Sequence, residues 1–140
     1  MKILITGATG NLGGLVLNAL LRKTTAENIA VMLRNDIGKE TFTSRGVQVR
    51  TGNYDDTAAM TKAFSGIDKL YFVSGPDLNA RLIQHEKVVT AAINAGVGHI
   101  VYTSFSRKDG STLHPLSMLA DGHIIAENAI KQSGIPYTIC

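Results

Sequence analysis

The chain has 140 residues, of which 44% are hydrophobic and 18% charged, a composition typical of one globular domain over residues 1–140 and not of a disordered segment. No apolar run approaches the 18 residues of a membrane span, and the single cysteine, Cys140, excludes an intrachain disulfide, so we expect a cytoplasmic location. The net charge of +3 comes from scattered lysines and arginines without a basic run, so a nucleic-acid partner is poorly supported.

The chain opens with a short apolar strand, a glycine-rich turn and a helix predicted over about residues 11–22. Gly7, Gly10 and Gly13 are spaced G-x-x-G-x-x-G. Gly7 permits a sharp turn, Gly10 lets backbone amides approach a pyrophosphate closely, and Gly13 lets the helix pack on the strand. The helix would point its free N–H groups and positive dipole end at the phosphates. This context predicts a dinucleotide site, and the alternative is a tight turn that binds nothing.

Strands and helices alternate along the rest of the chain. We predict strands at 29–33, 47–50, 70–73, 99–103 and 135–140, and helices at about 36–44, 78–95 and 119–132, with a polar loop at 106–116. A further helix begins with Asp55 as its N-cap and ends at Gly66. In the long helix, the side chains expected to face inward are Leu82, Val88, Val89, Ala92 and Ile93.

This order of elements predicts an α/β fold, a Rossmann-like doubly wound parallel sheet in three α/β/α layers, because βαβ crossovers are right-handed. The ligand then belongs outside the carboxyl ends of the strands, where the first and fourth strands meet. The segments expected near that edge are residues 7–12, Arg34, 53–55, 74–76 and 103–105.

Arg34 follows the second strand, 21 residues after Gly13. An Asp or Glu there would bind the ribose hydroxyls of NAD, whereas a guanidinium can pair with a 2′-phosphate through two parallel N–H···O contacts. Arg34 therefore predicts a preference for NADP(H) over NAD(H), and Lys39 could add a second charge. The alternatives are that Arg34 is an ordinary solvated charge or that it pairs with Asp36.

Several stretches together resemble the NmrA-like branch of the atypical short-chain dehydrogenases, and within it the bacterial NADPH-dependent quinone oxidoreductase type 2 group. They are Thr-Gly-Ala-Thr-Gly-Asn-Leu-Gly at 6–13, Leu-Arg-Asn at 33–35, Tyr-Thr-Ser at 102–104 and Gly-Ile-Pro-Tyr-Thr at 134–138. The resemblance implies hydride transfer from NADP(H) to a quinone or similar small electrophile. The alternative is an NmrA-type regulatory protein that senses the nucleotide without turnover. Chains of this family are about twice as long, so we expect the C-terminal part of the family fold to be absent.

The resemblance also implies contacts with the cofactor. Phosphate contacts are expected from Gly7, Ala8, Thr9, Gly10, Asn11 and Leu12, the 2′-phosphate contact from Arg34, and contacts beside the nicotinamide-side ribose from Ser74, Gly75 and Pro76. Thr103, at the carboxyl end of the fifth strand, is expected at the same cofactor edge, with Ser104 beside it. A small-molecule substrate is the expected partner, and a homo-oligomer remains open.

The Tyr-x-x-x-Lys pair of ordinary short-chain dehydrogenases is missing, because no lysine lies four residues after Tyr54, Tyr71 or Tyr102. His123 lies eleven residues before Gly134, where isoflavone-reductase relatives carry a catalytic lysine. A histidine there resembles the quinone reductase group and could donate the proton that follows the hydride. The alternative is a helix histidine that packs or hydrogen-bonds locally. The remaining histidines lack ligand spacing, so no metal site is expected.

Overall fold

The computed structural model of the chain describes residues 1–74, 81–104 and 117–140. The elements, in chain order, are β1 (Ile3–Ile5), α1 (Asn11–Leu21), β2 (Ile29–Leu33), α2 (Lys39–Thr43), β3 (Gln48–Thr51), α3 (Thr57–Ala63), β4 (Lys69–Val73), α4 (Arg81–Ala95), β5 (His99–Thr103), α5 (Ser117–Gln132) and β6 (Tyr137–Ile139), with a 3₁₀ turn, Ala26–Asn28, before β2. The predicted loop at 106–116 and the predicted helical residues 78–80 lie outside the described residues.

The six strands form one parallel sheet in the order β3-β2-β1-β4-β5-β6. The chain runs outward from β1 to β3, crosses back to β4 and runs outward again to β6. This order confirms the doubly wound topology and places the switch point between β1 and β4, where a crevice opens at the carboxyl ends of the strands.

Two hydrophobic clusters cover the two faces of the sheet. Leu4 belongs to one cluster and Ile5 to the other, and neighbouring residues of a strand point to opposite faces. The first cluster joins the sheet to α3, α4 and α5, and the second joins it to α1 and α2. The three predicted layers are therefore present. All five residues of β2 are buried, as is usual for a continuously apolar strand inside a parallel sheet.

The helix predicted over about residues 36–44 is shorter, since α2 spans Lys39–Thr43, and two further details of the helices differ from the sequence-based prediction. Asp56, not Asp55, caps α3, and its Oδ1 accepts a hydrogen bond from the Ala59 amide at 2.9 Å. The Asp55 amide instead donates to Asn53 Oδ1, and the Asp55 carboxylate accepts from Gln84. This turn therefore moves the start of the helix one residue further on.

The second difference concerns the inward face of α4. Val88, Val89 and Ala92 are buried as predicted, but Ile93 is 48% exposed because it lies at the border of the buried stripe. The Leu82 side chain lies outside the described part. Within the described ranges, no helix is both long enough and apolar enough to cross a bilayer.

Candidate nucleotide-binding site

A cavity of about 530 Å³ opens at the switch point. Its walls come from the turn after β1 and from the carboxyl ends of β2, β3 and β4. The lining residues are Gly7, Thr9, Gly10, Met32, Leu33, Arg34, Asn35, Ile37, Gly52, Asn53, Tyr54, Val73 and Ser74. The volume lies within the range of about 300–1,000 Å³ that is usual for small-molecule sites.

The glycine-rich turn has the geometry that its spacing predicted. Gly7 has a φ of +66°, which glycine adopts without strain, and the Gly10 amide donates to the Gly7 carbonyl at 3.0 Å. A Cβ at Gly13 would stand 2.1 Å from the Gly7 carbonyl oxygen. Only glycine at position 13 therefore lets α1 pack this closely against the turn.

The N-terminus of α1 faces the cavity without a cap. Gly10 is the N-cap residue, no described side chain bonds to the first turn, and that turn holds no acidic residue. The first N–H groups of a helix have no partner within the helix, and they carry the positive end of its dipole. This end of α1 is therefore suited to an anion, and Thr9 and Gly10 line the cavity beside it.

Arg34 lies exposed at the carboxyl end of β2 and lines the same cavity as the glycine turn. The chain turns after it, because Asn35 Oδ1 accepts from the Ile37 amide at 2.9 Å. In this segment of the described chain, Asp36 pairs with Lys39 at 4.0 Å, and no ion pair joins Asp36 to Arg34. The guanidinium is therefore available to a ligand, while the Lys39 charge is directed to Asp36.

Tyr54, on the loop between β3 and α3, connects the two strands of the switch point. Its hydroxyl lies 2.8 Å from Thr6 Oγ1 and 2.6 Å from the Val73 carbonyl oxygen, and the Val73 amide donates to Thr6 Oγ1 at 3.0 Å. Burial raises the pKa of Tyr54 to about 12, against smaller opposing effects of the Thr6 hydrogen bond and the Arg34 charge. The phenol is therefore protonated at neutral pH.

Thr103 and Ser104 lie at the carboxyl end of β5, and their hydroxyls are engaged within the protein. The Ser74 amide donates to Thr103 Oγ1 at 3.1 Å, and the Thr103 hydroxyl donates to the Phe72 carbonyl at 3.4 Å. The Ser104 hydroxyl donates to the Glu127 carboxylate of α5. Thr103 thus holds the end of β4, and its direct contact with a cofactor stays a prediction.

His123 lies on α5 and is buried, with 4% of its surface exposed. Its Nδ1 is 2.6 Å from the Tyr102 hydroxyl, and its ring lies 6.4 Å from that of His85, centroid to centroid. The described lining of the cavity does not include His123. The local hydrogen bond matches the alternative considered for this residue, and its role as a proton donor stays a prediction.

The structure brings together five of the predicted contact residues, namely Gly7, Thr9, Gly10, Arg34 and Ser74. Ala8 packs its methyl group into the cluster between the sheet and α1, while Asn11 and Leu12 are exposed at the start of α1 and do not line the cavity. Gly75 and Pro76 lie outside the described residues.

Sequence reasoning missed several lining residues. The lining residues that were missed include Met32 near the end of β2, Asn35 and Ile37 after β2, and Gly52 after β3. Their proximity to the carboxyl ends of these strands was the available signal. Asn53 and Tyr54 belong to the segment 53–55 that was expected at this edge, and both line the cavity, but no role was predicted for the Tyr54 hydroxyl. In the described ranges, no group of three or more His, Cys, Asp or Glu side chains could hold a metal ion.

The fold and the crevice define the class of Rossmann-like α/β proteins. The model of the NmrA-like family matches residues 1–140, and the chain belongs to this family. The predicted family is therefore confirmed.

The chain is 40% identical over 137 residues to quinone oxidoreductase 2 of Escherichia coli (strain K12), covering 98% of this chain and 46% of that protein. It is 32% identical over 145 residues to an NmrA-like family domain-containing oxidoreductase of Aspergillus flavus, covering 99% and 46%. The chain thus spans about half the length of these curated relatives.

Solved structures show the same fold. The structure of Citrobacter sp. triphenylmethane reductase complexed with NADP(H) matches with a TM-score of 0.91 and 41% identity, over 99% of this chain and 48% of that one. The structure of the NADPH-dependent quinone oxidoreductase from E. coli complexed with NADPH matches with a TM-score of 0.90 and 40% identity, over 99% and 47%.

Proposed function

We propose that residues 1–140 form the NADP(H)-binding part of an oxidoreductase that transfers a hydride to a quinone or a similar small electrophile. The observation that carries this proposal is the shared cavity, in which Arg34 and the uncapped glycine turn are two walls of one crevice. One wall suits a pyrophosphate and the other suits the additional phosphate that distinguishes NADP(H) from NAD(H).

The residues present fit this cofactor. Gly7, Thr9 and Gly10 would hold the pyrophosphate at the N-terminus of α1, where backbone amides and the helix dipole attract negative charge. The Arg34 guanidinium would hold the 2′-phosphate, because it lines the cavity and forms no ion pair with Asp36. Ser74, at the end of β4, would lie beside the nicotinamide-side ribose.

The nicotinamide of the bound cofactor would supply the hydride, and the role of this chain would be to hold and orient the cofactor. Hydride transfer to a quinone needs little acid–base chemistry from the protein, so positioning and the exclusion of water dominate. His123 is the proposed proton donor. The relatives named quinone oxidoreductase and triphenylmethane reductase support a conjugated, electron-poor organic acceptor.

The test is to mix the purified chain with NADPH and follow the loss of its absorbance after addition of menadione. We expect oxidation that requires both the chain and the quinone, and that is slower with NADH. Absence of NADPH binding, measured by calorimetric titration, would overturn the proposal.

A second function, nucleotide sensing without turnover, is tested by the same experiment. It is favoured by the position of His123, whose Nδ1 bonds to the Tyr102 hydroxyl in the core and which does not line the described cavity. Binding of NADP(H) with no quinone-dependent turnover would support a regulatory protein of the NmrA type.

A further inference from the structure

We propose that Tyr54 is a positioning residue, whose hydroxyl sets the separation of the two chain segments that hold the nucleotide. This inference rests on the proposed function, because it concerns the same crevice. Tyr54 lies on neither of the two segments that it joins: it comes from the loop after β3, while Thr6 follows β1 and Val73 ends β4.

The hydroxyl stands where the backbone pairing of β1 and β4 ends. The pairing runs through Ile5 opposite Tyr71, and the Thr6 amide still donates to the Tyr71 carbonyl at 3.1 Å. Two residues further along β4, at Val73, side chains replace the backbone ladder. The Val73 amide donates to Thr6 Oγ1, and the Val73 carbonyl accepts from Tyr54.

The Tyr54 hydroxyl, the Thr6 hydroxyl and the Val73 backbone form a closed circuit of three hydrogen bonds. A carbonyl oxygen only accepts and a phenol has one proton, so the Tyr54 hydroxyl donates to Val73, while the Thr6 hydroxyl donates to the Tyr54 oxygen. Thr6 Oγ1 in turn accepts from the Val73 amide. Each group then has a partner, and Thr6 is fully buried, so no ligand can reach its hydroxyl.

The residues that follow Thr6 and Val73 are Gly7 and Ser74, and both line the cavity. The two segments also touch each other closely, since a Cβ at Gly7 would stand only 3.2 Å from Val73 Cβ. The circuit therefore joins the two segments at the wall of the cavity, where Tyr54 and Val73 are themselves lining residues, and it directly precedes Gly7 and Ser74. A small change in its length would shift the glycine turn relative to the end of β4.

Tyr54 is itself held from two sides. Its ring packs edge-on against Phe72, with centroids 5.9 Å apart. The adjacent residue, Asp55, accepts hydrogen bonds from Gln84 and Lys87 of α4. The hydroxyl is thus fixed by the core cluster and by α4, which gives it a rigid base from which to position the crevice.

The experiment compares the dissociation constants of NADPH and NADH for the full chain and its variants by titration at a temperature at which each variant is folded. We expect Tyr54→Phe to raise both constants about fivefold, as loss of one hydrogen bond would, and to leave the preference between the two nucleotides unchanged. Tyr71→Phe makes the same chemical change on β4, two residues before Val73 and outside the described lining of the cavity, and should leave both constants unchanged.

Substitutions of Thr6 separate positioning from direct contact. Thr6→Val removes the hydroxyl and should reproduce the effect of Tyr54→Phe, although Thr6 itself cannot touch the ligand. Thr6→Ser keeps the hydroxyl and should retain the original affinity. The double variant Tyr54→Phe/Thr6→Val should bind no more weakly than the single ones, because both break one circuit.

The outcomes distinguish this inference from the proposed function. If the original chain binds NADPH and Tyr54→Phe binds it equally well, or is only less stable to unfolding, the inference is wrong and the proposed function stands. If Tyr54→Phe weakens binding but Thr6→Val does not, Tyr54 contacts the nucleotide directly and is not a positioning residue. If the original chain binds neither nucleotide, both are overturned.

Discussion

Arg34 is the residue on which the choice between NADPH and NADH is expected to depend. Exchanging Arg34→Asp replaces a donor for the 2′-phosphate by a group that repels it, so the dissociation constant of NADPH should rise by about 10- to 100-fold, the range for a lost hydrogen bond to a charged group. The constant for NADH, which lacks that phosphate, should change much less. Titration with both nucleotides measures the two effects.

The chain offers a charge-matched control for this exchange. Lys39→Asp makes the same change in net charge five residues away, but Lys39 pairs with Asp36 and does not line the described cavity. It should weaken NADPH binding only slightly and lose that effect at higher salt, as expected of a screened charge. Equal effects of Arg34→Asp on both nucleotides would remove the argument for specificity.

Tyr54 should make the stability of the chain depend on pH in the alkaline range. Its pKa is raised to about 12 in the folded state, against about 10 unfolded, so the folded chain holds this proton more tightly. The stabilisation is complete below pH 10 and is lost as the pH rises towards 12, with about 1.4 kcal/mol lost by pH 11.

Comparison with Tyr54→Phe isolates this contribution, because burial also raises the pKa of Tyr71 in both proteins. Urea unfolding at pH 8 and at pH 11 should show the difference in the free energy of unfolding between the two proteins shrinking by about 1.4 kcal/mol. A difference that stays constant would mean that the phenol titrates normally in the folded chain.

At the scale of one element, the packing of α1 against the glycine turn should be sensitive to a substitution at Gly13 and not at the adjacent Gly14. Gly13→Ala would put a methyl group 2.1 Å from the Gly7 carbonyl oxygen, whereas at Gly14 the nearest atom, the Ala8 carbonyl oxygen, is 3.6 Å away, an ordinary contact. We expect Gly13→Ala to destabilise the chain by about 1–3 kcal/mol and to weaken NADPH binding, since the turn must move.

Gly14→Ala is the matched control for this prediction. It adds the same methyl group inside the same helix and should stabilise the chain by up to about 1 kcal/mol, because alanine favours the helix more than glycine does. Urea unfolding of the two variants measures the contrast. If both variants shift the free energy of unfolding in the same direction, close packing of the turn on α1 is not what position 13 requires.

The sequence predicted elements well where one local signal decided them. The strands at 29–33 and 99–103 were placed correctly because each is a short apolar run bounded by polar residues. It misplaced the cap of α3, because Asp55 and Asp56 are both able to cap and the choice depends on the Asn53 side chain. A similar limit applies to Ile93, which lies at the border of the buried stripe of α4 and is 48% exposed.

For the whole molecule, the location of the site could be predicted from the sequence, because the topology of the sheet determines that location. Alternating strands and helices imply the switch point, and the switch point brings together the glycine turn, Arg34 and Ser74. Topology also placed the segment 53–55 at this edge, but it could not reveal the role of the Tyr54 hydroxyl. Its role depends on hydrogen bonds to residues 48 and 19 positions away, which no spacing pattern encodes.

The same topology predicts how the nucleotide should affect the stability of the whole chain. The two halves of the sheet meet where β1 pairs with β4, and the cavity is lined by residues from both halves. A ligand that binds only the folded chain stabilises it by about 2.7 kcal/mol at a concentration 100 times its dissociation constant. For a domain of this size, we expect NADPH to raise the unfolding temperature by about 10 °C under these conditions.

This shift can be separated from nonspecific stabilisation in a thermal scan. It should increase with the logarithm of the NADPH concentration. At the same concentration, Arg34→Asp should gain only about one seventh to one half of it, because its dissociation constant is about 10- to 100-fold higher. Lys39→Asp should gain nearly all of it. A shift of the same size in Arg34→Asp would mean that NADPH stabilises the chain without using the crevice between β1 and β4, since Arg34 forms one wall of that crevice.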